Sequence, residues 1–100
     1  GGVQNSDTIR IDQDAQHLVK TGASAGKPIA VICHGSWLLI SAGLVNGKTM
    51  TSYKTVKDDL VNAGANWVDQ EVVKDGHLIS SRQPDDIPAF SNALIDALSA

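Results

Sequence analysis

The sequence predicts an α/β fold, a layered sheet with helices on both faces, on three observations. Segments of helical period alternate along the chain with short apolar or β-branched segments, the order that arises when helices cover a largely parallel sheet. The run "KPIAVIC", residues 27–33, is unbroken in apolar character after its proline, as a strand buried on both faces requires. Asp75-Gly76 divides "EVVKDGHLISS" into two strand-like halves, a strong hairpin signal. A full doubly wound sheet needs βαβ units on both sides of its switch point, and only one such unit plus a hairpin is present. The expectation is the C-terminal portion of a single domain, residues 1–100, whose first strands and helices lie ahead of Gly1.

Each element has its own signal. Gly1-Gly2 and the residues through Asp7 read as a loop. Asp12 to Ser24 places Ala15, Leu18, Val19 and Ala23 at helical spacing, with acidic residues at its start and Gly26 beyond its end, the polarity expected of a helix. After the strand ending at Cys33, "HGSWLLISAGL" resumes helical spacing through Trp37, Leu38, Ile40 and Leu44 until Gly43 and Asn46-Gly47 interrupt it. "KTMTSY" has the β-branched content of a short strand. "KTVKDDLVNAG" reads as an amphipathic helix with Val56, Leu60 and Val61 inward and Gly64 as its stop. The hairpin follows. "PDDIPAFSNALIDAL" closes the chain as a helix capped by Asp85 or Asp86, with Pro88 in its first turn and Ile87, Phe90, Leu94, Ile95 and Leu98 facing the core.

Composition narrows the function. Eight basic against eleven acidic residues give a formal charge of -3, and the basic residues are scattered, which argues against a nucleic-acid partner. No apolar run approaches membrane-spanning length, so no membrane partner is expected. A single cysteine excludes an internal disulfide and favours a reducing, cytoplasmic compartment. One Cys and three scattered His lack metal-site spacing, so neither metal nor cofactor is expected. His17 and His77 read as solvated surface, Asp58-Asp59 as a polar helix face, and Arg82 as exposed or structurally paired.

The chemistry concentrates at "VICHG", residues 31–35. A buried strand that ends in Cys33 and passes through His34-Gly35 into a helix makes a sharp elbow, which lifts the side chain at its apex above the carboxyl edge of the sheet. Helix amides and a nearby imidazole are expected to lower the thiol's pKa there. Gly35 would allow a substrate to approach, while the amides of His34 and of a glycine loop such as Gly1-Gly2 could donate to an oxyanion. Composition alone favours a different reading, a small buried hydrophobe that packs and does not react. Nor does His34 settle the matter, since neighbours on a strand point to opposite faces.

Longer stretches resolve that choice. "GGVQNSDTIRID", "CHG" after the apolar strand, "TSY", "NAGANWVD" and "DGHLISSR", in this order, resemble the C-terminal portion of the PfpI/ThiJ family, within the class I glutamine amidotransferase-like superfamily. The resemblance covers essentially the whole chain. It implies a flavodoxin-like sheet, Cys33 as nucleophile and His34 as catalytic histidine. It also implies an oxyanion hole lined by the amides of Gly2 and His34, and Tyr53 as a pocket wall. Asp7 falls where the family carries an acidic residue that orients the histidine across a subunit interface, which implies at least a homodimer. The family's glutamate beside the cysteine belongs to its N-terminal half and is not in this sequence. Ser36 and Lys54 stand where proline is frequent, and Asp7 is shorter than the glutamate of some relatives.

The expected function is a cysteine-dependent stress enzyme whose thiolate acts on small carbonyl compounds or peptide bonds, in glyoxalase, deglycase or peptidase chemistry. The alternatives are a redox-sensing or chaperone-like stress protein using the same cysteine, and an association module with an open sheet edge.

Overall fold

The computed structural model describes residues 2–99. Helices α1 (Val3–Ile9) and α2 (Gln13–Ser24) precede strand β1 (Ile29–Ile32), which runs through a 3-10 turn at Cys33–Gly35 into α3 (Ser36–Ser41). Strand β2 (Thr49–Met50) leads through a second 3-10 turn, Lys54–Val56, to α4 (Lys57–Asn62) and β3 (Asn66–Trp67). The hairpin β4 (Val72–Asp75) and β5 (Leu78–Ser81) feeds a third 3-10 turn, Pro84–Asp86, and the closing helix α5 (Ile87–Ser99). The class is α/β, as the alternation of signals requires.

Strand order in the main sheet is β1-β5-β4. β1 and β5 are parallel, with Ile29 opposite Leu78 and Ile32 opposite Ser81, whereas β4 and β5 form the antiparallel hairpin about Asp75-Gly76. β2 and β3 make a separate two-stranded parallel sheet. Side chains fasten the two sheets together. The Asp75 carboxylate accepts the Thr49 amide at 2.8 Å, and the Ser80 hydroxyl accepts the Thr51 amide at 2.9 Å. The second bond gives buried Ser80 its role on β5, since buried backbone donors need partners wherever a ladder does not supply them.

The core is a cluster of Leu39, Val45, Met50, Val56, Leu60, Ala65 and Leu78, with Val19, Ile29, Val31 and Trp37 packed against it. Gly64 ends α4 at φ 93°, and a Cβ there would clash with the Asn46 side chain. Only glycine meets both conditions.

Several expectations change. The N-terminal loop is helix α1, which packs against α3 and the Cys33 turn. Its one buried residue is Ser6, so it shows no apolar period. α2 begins where expected, at Asp12, whose carboxylate accepts the Asp14 and Ala15 amides, but Leu18 faces outward. α3 buries Ser36 and Leu39, with Leu38 only half-buried. On α4, Val56 and Leu60 are inward as expected, but Val61 is exposed. α5 buries none of its residues fully, and Ile87, Ile95 and Leu98 are exposed. Asp86 is no helix cap: it lies buried in an ion pair with Arg82.

Candidate active site

Cys33 stands at the C-terminal end of β1 with φ 57°, and among the described residues it is the one non-glycine with positive φ. That conformation disfavours any residue with a Cβ, and strain of this kind gathers at functional sites. The elbow is held from the facing loop, because the Tyr53 amide donates to the Cys33 carbonyl at 3.2 Å. The thiol is half-buried.

The turn folds His34 inward, leaving it only 8% exposed. Its ring stacks on Tyr53 (centroids 5.1 Å apart, planes at 28°) and meets the edge of Trp37 (5.0 Å, 67°). Nε2 lies 3.4 Å from Thr55 Oγ1. The structure therefore brings His34 and Tyr53 together, and adds two neighbours that the sequence reading did not assign to the site. The sequence places Trp37 at helical spacing and gives Thr55 no role. Their signal was spacing: Trp37 follows His34 by three residues, within one turn, and Thr55 follows Tyr53 by two. Trp37 is tied further by its indole N–H to Asp59 at 3.0 Å, with the Arg10 guanidinium 5.2 Å over its ring.

The remaining expected residues are arranged differently. No hydrogen bond among the described residues joins the Cys33 thiol to the His34 ring, or Asp7 to His34. Asp7 is exposed on α1. Gly2 caps the start of α1 at φ 79°, ψ 147°, a conformation essentially reserved for glycine, and α1 rests on the Cys33 turn. Gly1 lies outside the described residues. Gly35 has φ -56°, and its missing Cβ would meet Val31 at 3.5 Å. The absence of a side chain at Gly35 therefore opens toward β1 and not toward an approaching substrate.

Burial pushes the Cys33 thiol pKa up from its ordinary value, and the Asp86 carboxylate adds to the rise, against the His34 backbone amide, which favours the thiolate. This is opposite to the lowering expected from helix amides and imidazole, because desolvation outweighs a short turn's dipole. Asp86 belongs to a network beside the elbow. Arg82 donates to both its oxygens, from Nε at 2.8 Å and Nη2 at 3.0 Å, and to Asp69 from Nη1 at 2.8 Å. The guanidinium holds the Asp86 carboxyl below the usual carboxylate range.

A cavity of about 190 Å³ lies at the opposite end of β1, lined by Lys27, Ile29, Leu44, Lys48 and His77 among others. It does not include Cys33. No group of three or more potential ligands among the described residues could hold a metal ion, and no described helix is long and apolar enough to cross a membrane.

A family model described as the DJ-1/PfpI family matches residues 1–97. A protein named as a deglycase from Pyrococcus abyssi is 44% identical over 97 residues, covering 97% of this chain and 58% of its own. General stress protein 18 of Bacillus subtilis is 43% identical over 86 residues, covering 85% of this chain and 50% of its own. The crystal structure of Drosophila melanogaster DJ-1beta superposes with a TM-score of 0.89 at 36% identity, covering 94% of this chain and 50% of that one. The chain thus spans little more than half the length of these relatives.

Proposed function

The chain belongs to the DJ-1/PfpI family, and from that premise we propose that it carries the reacting half of a cysteine-dependent stress enzyme acting on small carbonyl compounds or peptide bonds. The observation that carries this reading is the left-handed backbone at Cys33, which presents a half-buried thiol at a strand end beside a histidine enclosed by Tyr53 and Trp37. The deglycase name of the P. abyssi relative supports carbonyl chemistry, and the stress-protein name of the B. subtilis relative supports the physiological setting.

In the proposed reaction the Cys33 thiol gives up its proton and the thiolate adds to a carbonyl carbon. A C–S bond forms, and the C=O π pair moves to oxygen, where the amides of His34 and Gly2 stabilise the developing charge. With an aldehyde, proton return to that oxygen gives a hemithioacetal. With an amide, the tetrahedral intermediate collapses to a thioester, the departing amine takes a proton, and water later hydrolyses the thioester. His34 moves these protons, Tyr53 walls the pocket, and Asp7 of a second subunit orients the imidazole within a homo-oligomer of at least two chains. Because burial raises the thiol pKa in this chain, ionisation needs a base. The resemblance assigns that modulation to a glutamate of the N-terminal half.

The test compares wild type with Cys33→Ala on methylglyoxal and on a fluorogenic peptide. The expected result is loss of turnover on at least one substrate by two or more orders of magnitude, on the scale of removing an activated nucleophile. Equal rates for both proteins on both substrates would falsify the catalytic reading.

A further inference from the structure

Building on the reading of Cys33 as the reacting group, we propose that Arg82 and Asp86 form a positioning ion pair that tunes the charge facing the Cys33 thiol at the strand edge, with Asp86 as the opposing charge and Arg82 as the group that masks it. The topology places them there. Ile32 of β1 stands opposite Ser81 of β5, so Cys33 and Arg82 are the residues that leave the paired ends of two neighbouring parallel strands, and those ends are about 4.8 Å apart. The 3-10 turn that follows Arg82 then folds Asp86 back to it, with the Asp86 amide donating to the Gln83 carbonyl at 2.9 Å.

The geometry is that of a bidentate fork. Both Asp86 oxygens receive guanidinium N–H groups, at 2.8 and 3.0 Å, and the aspartate is only 3% exposed. A third N–H reaches the exposed Asp69. One guanidinium thus serves two carboxylates, and the trio carries a net charge of -1 when all three groups are ionised. A residual negative field at the strand edge opposes a thiolate, in agreement with the contribution of Asp86 to the raised thiol pKa. Stability alone is a weak reason for such a pair, because an apolar replacement of similar volume is often neutral or better. Among the described residues, the elements packed against the elbow also carry His34, Tyr53 in the facing loop, Asp7 on α1 with Arg10 just beyond its end, and Asp85 in the turn beside Asp86.

The test is the pH profile of iodoacetamide alkylation at Cys33 in the intact protein, with turnover measured in parallel. Asp86→Asn is expected to move the midpoint toward acid by about half a pH unit or more, and Arg82→Gln to move it toward alkali. Arg82→Lys keeps the charge and should restore most of the Arg82→Gln displacement. Asp69→Asn, at an exposed position, should move the midpoint in the same direction as Asp86→Asn by a smaller amount. Midpoints of Asp86→Asn and Arg82→Gln that coincide with wild type in folded protein would overturn the proposal. If Asp86→Asn does not fold, an Arg82→Gln midpoint that coincides with wild type would do the same. A Cys33→Ala variant with undiminished turnover would defeat the functional reading instead, whatever the midpoints show.

Discussion

Cys33 adopts a backbone conformation that costs a residue with a Cβ about 1–2 kcal/mol, and the Tyr53 amide bonded to its carbonyl helps to hold it there. Two substitutions that both remove the sulfur separate backbone from side chain. Cys33→Gly should be about 1 kcal/mol more stable than Cys33→Ala, because glycine accepts the left-handed region without strain. Urea denaturation of the pair measures this difference, and equal midpoints would mean that the elbow is unstrained. The thiol itself was legible in the sequence, as the only cysteine and the last residue of an apolar strand. Its raised pKa was not, because it comes first from burial in the folded chain and then from the carboxylate of Asp86, 53 residues further on, which a one-dimensional reading places at a solvated cap.

At the scale of elements, local signals succeeded where the bonding is local. Asp12 caps α2 by accepting the amides two and three residues on, and the Asp75-Gly76 turn sets the hairpin register. Signals failed where packing decides. α1 has neither a capping side chain nor an apolar stripe, and the two residues of β3 are held by pairing with β2. The apolar stripe of α5 predicts a core face, yet Ile95 is 59% exposed and Leu98 68%. Hydrophobic period shows which residues share a helix face, not how completely this chain covers that face. Ile95→Ser should therefore change the stability of this chain by no more than about 0.5 kcal/mol, as read from the shift in its denaturation midpoint. A loss several times larger would show that the outer face of α5 is in fact packed.

For the molecule as a whole, the Arg82–Asp86 pair ties the end of β5 to the start of α5, so its titration is a property of the fold. The guanidinium depresses the Asp86 pKa in the folded state below an unfolded value of about 3.9. The folded state then binds the proton less tightly than the unfolded chain. The stabilisation is fully present above the unfolded pKa and is lost as pH falls through the folded one. Wild type should lose Tm steeply below about pH 4, whereas Asp86→Asn should start lower at neutral pH and decline less. Parallel Tm curves for the two proteins across that range would contradict this. The contact of Trp37 with His34, centroids 5.0 Å apart, has an optical consequence. A protonated imidazole quenches an adjoining indole, so the emission of this tryptophan dims when the histidine gains its proton and reports the charge on the ring without any added label.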